Sequence, residues 1–267
     1  MKNFRPLILF TVFVLTIGLA CSAVSGGGDN PPQAQPPQQN EPAQAEPTVE
    51  PTEEPTEPTA GPEPTERPLP EPTETPVTVS RYFREEFDSS DVLDNYTSFS
   101  LGSGDDADLV IQQEDDHLLF DLGDKNLYVY YMYAVDTYDD VAISLNAENR
   151  GRNNNNVSLV CRMNEDGDQW YEFSVESGGV WYLYAVDGGY NVIGNGGTNS
   201  LKQGKEVNEY GLVCEGNKIT MYVNGDKINT ITDTKYSFND GYVGFNISSL
   251  NVLPITVEVN WFEVSAP

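Results

Sequence analysis

From Tyr82 to the end of the chain, apolar and polar residues alternate with a period close to two. Successive side chains of a β-strand point to opposite faces, so this alternation predicts strands with one face buried. The segments are Tyr82–Phe87, Asp108–Gln112, His117–Leu122, Leu127–Ala134, Val141–Ala147, Val157–Met163, Trp170–Val175, Val180–Val186, Val207–Cys214, Lys218–Val223, Lys227–Thr232, Tyr242–Ile247 and Ile255–Val264. Turn chemistry separates them. Asn224-Gly225, between MYV and DKI, is a two-residue hairpin signal, because a type I′ turn needs positive φ at both positions. Gly178-Gly179 and Asp187-Gly188-Gly189 bracket another strand, and Asp166-Gly167 falls in a longer turn. No segment carries a helical period. Many short strands at near-regular spacing predict an all-β fold, an antiparallel two-sheet sandwich or jelly roll. In the last segment Val257, Val259 and Trp261 alternate to one face, and then Phe262 and Val264 fall on the other. That switch predicts a β-bulge near Trp261, or a strand buried on both faces.

Before residue 81 the alternation stops. Residues 22–80 hold fifteen of the chain's eighteen prolines and run through EPTVEPTEEPTEPTAGPEPTERPLPEPTETP. Each proline fixes φ and removes a backbone donor, so neither helix nor sheet propagates. With few apolar side chains to offset chain entropy, the stretch is expected to be a disordered, extended linker, a spacer rather than a binding element. Ahead of it, Lys2 and Arg5 precede the uncharged apolar run Pro6–Ala20, short for a bilayer span and suited to a secretory signal peptide. The run ends Gly18-Leu19-Ala20-Cys21, which resembles the lipobox of bacterial lipoproteins, although Gly18 stands where leucine is favoured. The resemblance implies cleavage after Ala20 and lipidation of Cys21. The product would be an extracytoplasmic lipoprotein anchored to the bacterial membrane at the cell surface. An ordinary signal peptide or an uncleaved anchor are the alternatives. The expected organisation is thus a signal peptide at 1–20, a lipidated N-terminus and Pro-rich stalk at 21–80, and a β-sandwich domain at 81–267.

Charge narrows the partners. The formal net charge is −28, and residues 81–267 carry 31 acidic against 11 basic side chains. Nucleic-acid binding depends on Lys and Arg neutralising phosphate, so that class is excluded. Adsorption to anionic headgroups is disfavoured too, which leaves membrane attachment to the lipid anchor. Calcium, a hard ion that takes oxygen ligands, is the cofactor this chemistry admits. Acidic clusters at Asp105-Asp106-Asp108, Glu114-Asp115-Asp116 and Asp139-Asp140 lie between strands. Asn164-Glu165-Asp166-Gly167-Asp168 is too short for an EF-hand, lacks the late glutamate and reads as a hairpin turn. Besides Cys21 there are two cysteines, Cys161 and Cys214. In an exported protein such a pair reads as a disulfide, with two buried thiols as the alternative. No C-x-x-C or His-Cys cluster points to zinc.

Several segments together resemble the concanavalin A-like jelly-roll superfamily, and within it the bacterial exported domains grouped with the 3-keto-disaccharide hydrolase domain. They are FREEFDSSDVLDNY, VSLVCRMNEDGDQWYEFSV, EYGLVCEGNKITMYVNGDKI, YVGFNIS and VEVNWFEVS, which together span most of 81–267. The resemblance implies two facing curved sheets with a surface turned toward sugar. Related modules bind glycans or calcium, act as interaction domains or hydrolyse glycosides, and fold alone does not choose among these.

The residues argue against a catalytic set. His117, the chain's single histidine, lies in the apolar stretch HLLFDL and reads as structural, and no G-x-S-x-G elbow exists. Glycoside hydrolysis needs two carboxylates flanking the bond. The resemblance implies an E-x-D-x-E strand for laminarinase-type members, and the nearest matches are loose. Glu258-Val-Asn260-Trp-Phe-Glu263 has an amide in place of the central acid, and Glu86-Phe-Asp88-Ser-Ser-Asp91 lies in the opening strand and turn. Glu258 and Glu263 are therefore weak candidates. Aromatic residues are the stronger signal, since sugar rings pack on Trp and Tyr while a polar tip bonds hydroxyls. Tyr128, Tyr130, Tyr131 and Tyr133 crowd one strand; Trp181, Tyr182 and Tyr184 crowd another; Trp170, Tyr171 and Tyr190 are near in sequence. One face of each strand must be core, and the other is a contact surface or simply more packing. The expected function is non-catalytic binding of a glycan or another surface polymer. A glycoside-acting hydrolase, and an adhesion or sensor module with a protein partner, are the alternatives.

Overall fold

In a computed structural model of the chain, residues 80–267 are described. The signal peptide, Cys21 and the Pro-rich segment lie outside the described residues.

The thirteen alternating segments and two further ones form fifteen strands in chain order: β1 (Phe83–Glu85), β2 (Tyr96–Gly102), β3 (Val110–Glu114), β4 (His117–Leu122), β5 (Leu127–Tyr138), β6 (Val141–Asn149), β7 (Asn155–Met163), β8 (Gln169–Glu176), β9 (Val180–Asp187), β10 (Tyr190–Gly197), β11 (Val207–Glu215), β12 (Lys218–Val223), β13 (Asp226–Thr232), β14 (Gly241–Ser249) and β15 (Ile255–Ser265). All pairings are antiparallel. One sheet runs β13-β12-β11-β6-β15-β4-β3, with β1 also paired to β15; the other runs β10-β9-β8-β7-β14-β5-β2.

Period-two burial explains the sandwich. In β6 the side chains of Val141, Ile143, Leu145 and Ala147 are buried and their alternates are half exposed. They meet Val129, Tyr131, Leu159, Phe173, Leu183 and Phe245 from the facing sheet in one core. The Asn224-Gly225 turn joins β12 to β13 with φ of 51° and 79°, the double positive φ of a type I′ hairpin. β15 shifts register between Val259 and Trp261. Val257 and Val259 are buried before that bulge, and Phe262 and Val264 after it. The extra residue keeps the inward face apolar where strict alternation would have turned it outward.

Cys161 on β7 and Cys214 on β11 are bonded, 53 residues apart. The bridge joins the two sheets through the core, where both cysteines are fully buried.

The two segments that the pattern did not predict as strands, β2 and β10, are the two edges of the seven-stranded sheet. An edge strand has one partner and little need for apolar side chains. β2 reads YTSFSLG and β10 reads YNVIGNGG. The glycines of β10 have a packing reason. Gly196 pairs with Trp181, and a Cβ there would lie 2.8 Å from the indole ring. A short 3₁₀ turn at Ser90–Asn95 also escaped the reading; Ser89 caps it by accepting from the Asp91 N–H.

Candidate functional site

The outer face of the seven-stranded sheet is not an ordinary solvated surface. Strand register places one row of side chains across all seven strands: Phe99, Tyr130, Asn246, Ser158, Ser174, Tyr182 and Asn195. Small polar residues occupy its middle and aromatic rings flank them. The neighbouring row holds Met132, Gly244, Val160, Glu172 and Tyr184, and the opposite one Tyr128, Ser248, Asn156 and Glu176.

This face is concave. β5 and β10 are five strand steps apart, roughly 24 Å along the sheet at about 4.8 Å per step. Two tyrosines do not span that over a flat surface. Yet the Tyr190 hydroxyl hydrogen-bonds the Tyr130 hydroxyl, and the Tyr190 ring meets the edges of Tyr128, Trp170 and Tyr184 at centroid distances of 6.4, 6.3 and 5.5 Å. The result is a hollow of about 260 Å³ lined by Tyr128, Tyr130, Asn156, Glu172, Ser174, Tyr184, Tyr190 and Ser248.

Glu172 is the charged group of the hollow and is only 4% exposed. Its Oε2 accepts from the Tyr130 hydroxyl at 2.8 Å and from Trp170 Nε1 at 3.0 Å. Burial raises its pKa above the ordinary carboxylate value, while these two donors oppose the rise. Ser158 is close enough to favour the ionised form, but its hydroxyl makes no hydrogen bond of ordinary geometry. Burial, and then the nearby Glu172, push the Tyr184 phenol up to about 12. Three buried polar atoms on this face have no protein partner: Asn156 Oδ1, Ser158 Oγ and Asn246 Nδ2. Buried polar groups ordinarily find a partner in protein or ordered water, and these three have none within the protein.

The structure separates the aromatic candidates by face. Tyr128, Tyr130, Trp170, Tyr182, Tyr184 and Tyr190 belong to the concave side, while Tyr131, Tyr133, Tyr171 and Trp181 pack into the core between the sheets. Tyr171 has a structural task. Its hydroxyl bonds Asp233, which also accepts from the backbone N–H groups of Lys235, Tyr236 and Ser237. Glu172, Asn156, Ser174 and Ser248 were not singled out by sequence. The available signal was a glutamate, with a serine two residues on, inside the aromatic and apolar run WYEFSV.

Glu258 and Glu263 lie on the other sheet, on its outward face, each with a cation. Arg150 Nε is 2.8 Å from Glu258 and Arg84 is 3.5 Å from Glu263. His117 Nε2 lies 3.9 Å from Glu258. Neither glutamate lines the hollow. Among the described residues no group of three or more His, Cys, Asp or Glu is arranged to hold a metal ion. The acidic clusters have local partners. Asp140 accepts from Gly216 N–H and Arg162, and Asn164 Oδ1 accepts from the backbone N–H groups of Asp168 and Gln169 in a turn.

No sequence-family model and no curated protein sequence matches the chain. Solved structures do. A Bacillus subtilis protein of unknown function with a galectin-like fold is similar at a TM-score of 0.54 and 12% identity, over 69% of this chain and 94% of that one. A Bacillus licheniformis β-glucanase is similar at 0.51 and 13% identity, over 71% and 100%. A glycoside hydrolase family 16 endo-glucanase from Bacteroides ovatus is similar at 0.51 and 12%, over 68% and 99%. At these identities the likeness is one of fold: an antiparallel two-sheet β-sandwich of the jelly-roll kind.

Proposed function

We propose that the domain binds glycan, without cleaving it, on the concave face of the seven-stranded sheet, and that Cys21 is lipidated and holds it at the bacterial cell surface. The observation that carries the binding reading is the hollow itself. Half-buried Tyr128 and Tyr184 and the exposed Tyr190 offer ring faces and edges, and Glu172, Ser174, Asn156 and Ser248 offer polar atoms among them. That pairing suits a ligand with apolar C–H faces and a rim of hydroxyls. The glucanases of similar fold are named for acting on glucans, which favours a carbohydrate over a protein partner.

The lining of the hollow favours binding over hydrolysis. Glu172 and Glu176 share the concave face of β8 four residues apart, the spacing of an E-x-D-x-E strand, but Ser174 stands in place of the central acid. Glu172 is 4% exposed, and its Oε2 is taken by the Tyr130 hydroxyl and Trp170 Nε1. Asn246 and Ser158, rather than a second acid, stand beside Glu172 on the central strands.

The reading is tested by glycan array and by affinity electrophoresis through neutral polysaccharides, with and without calcium. Retention is expected, weakened roughly two- to tenfold by Tyr128→Ala or Tyr184→Ala, on the ~0.5–1.5 kcal/mol scale of aromatic contacts. Failure to retain the protein on any carbohydrate removes the proposal.

A further inference from the structure

The concave face is open at one end of its strands and filled at the other. At the open end lie Tyr128, Ser248 and Asn156, half-buried or polar. Toward the other end the same strands carry Met132, Val160, Trp170 and Val186, none more than 4% exposed, which join Met163 and Tyr130 in a second apolar cluster separate from the main core. Phe99, Tyr128, Tyr184 and Tyr242 pack against that cluster. Tyr190 reaches across from β10 to the Tyr130 hydroxyl and places its ring against Trp170. A groove open at both ends lets a polymer pass through; here Tyr190, bonded to Tyr130 and set against Trp170, closes the hollow on the side of that cluster. Its volume, about 260 Å³, is below the ~300–1,000 Å³ of sites that enclose drug-sized molecules.

From this geometry we infer that the site takes the terminal unit of a neutral glycan chain, not an internal stretch. The inference rests on the glycan-binding reading and sharpens it. Neutrality follows from the lining. No Lys or Arg lines the hollow, and its charged member is the carboxylate Glu172. Glu176 stands on the same face of β8, at the polar end. A uronate or phosphate entering there would lose water beside a carboxyl group, without a cation to offset the loss.

The test compares chains with and without ends. Isothermal titration calorimetry of residues 21–267 would use maltoheptaose against β-cyclodextrin, and linear laminari-oligosaccharides against a cyclic β-glucan. For a polysaccharide that retains the protein, bound protein per gram would be measured before and after light endo-cleavage. Oligogalacturonides serve as the anionic probe. Terminal recognition predicts at least tenfold preference for the linear member of whichever pair binds, and capacity that rises with the number of chain ends. Equal affinity for linear and cyclic members, or capacity indifferent to cleavage, overturns end recognition while leaving glycan binding intact. Tighter binding of oligogalacturonides than of neutral chains overturns the neutral class. Absence of binding to every carbohydrate removes this inference together with the reading beneath it.

Discussion

At the scale of single residues, Glu172 decides most. It is a carboxylate inside a face of rings, held by Trp170 and Tyr130. Because burial raises its pKa above 4.5, folding favours the protonated form. Its contribution to stability is therefore full below that value and is lost as pH rises through the higher folded pKa. Glu172→Gln keeps an oxygen acceptor for both donors and removes the ionisation. The melting temperature of the variant relative to the wild type should rise between pH 4 and pH 8; a gap that stays constant over that range would show that the buried group does not titrate as described. The site was only partly legible at this scale. A period of two says that alternate residues share a face, but β5 carries rings on both faces, so the pattern alone did not say that Tyr128 and Tyr130 line the hollow while Tyr131 and Tyr133 fill the core. The facing sheet makes that choice, and it is not visible along one strand.

At the scale of elements, the disulfide and the sheet edges carry the lesson. The Cys161–Cys214 bond links β7 of one sheet to β11 of the other. Closing a loop of 53 residues limits the unfolded chain by about 4 kcal/mol on loop-closure entropy. A double Cys161→Ala, Cys214→Ala variant should lose roughly 3–4 kcal/mol in urea unfolding while keeping its far-ultraviolet dichroism, because the core on either side of the bond remains. A loss below about 1 kcal/mol would show that the sheets hold together without the staple. Central elements were legible because burial demands alternation: β4 and β12 coincide with the segments read from sequence. The edges were not. β10 is glycine-rich because Trp181 needs the room, a reason that resides in its neighbour rather than in its own residues.

For the whole molecule, the two sheets divide the labour. The hollow belongs to the seven-stranded sheet, and the chain enters the domain through β1, which is paired to β15 in the other sheet. A ligand on the concave face therefore does not compete with the entry strand for the same surface. With the proposed anchoring, Cys21→Ser shifts the protein from the membrane fraction to the soluble fraction of cells; a variant that stays with the membrane would locate the tether elsewhere.

With the proposed anchoring at Cys21, load on the domain would reach it through β1. β1 is three residues long and pairs only with Phe262, Glu263 and Val264. It is reinforced by Phe83 against Tyr133, by the Arg84 guanidinium 3.9 Å above the Trp261 ring, and by Arg81 donating to the Thr137 carbonyl. Drag on the domain would pull on this short zipper first. The strand that would take such load first lies in the sheet opposite the proposed binding face, and the Cys161–Cys214 bond staples the sandwich behind it.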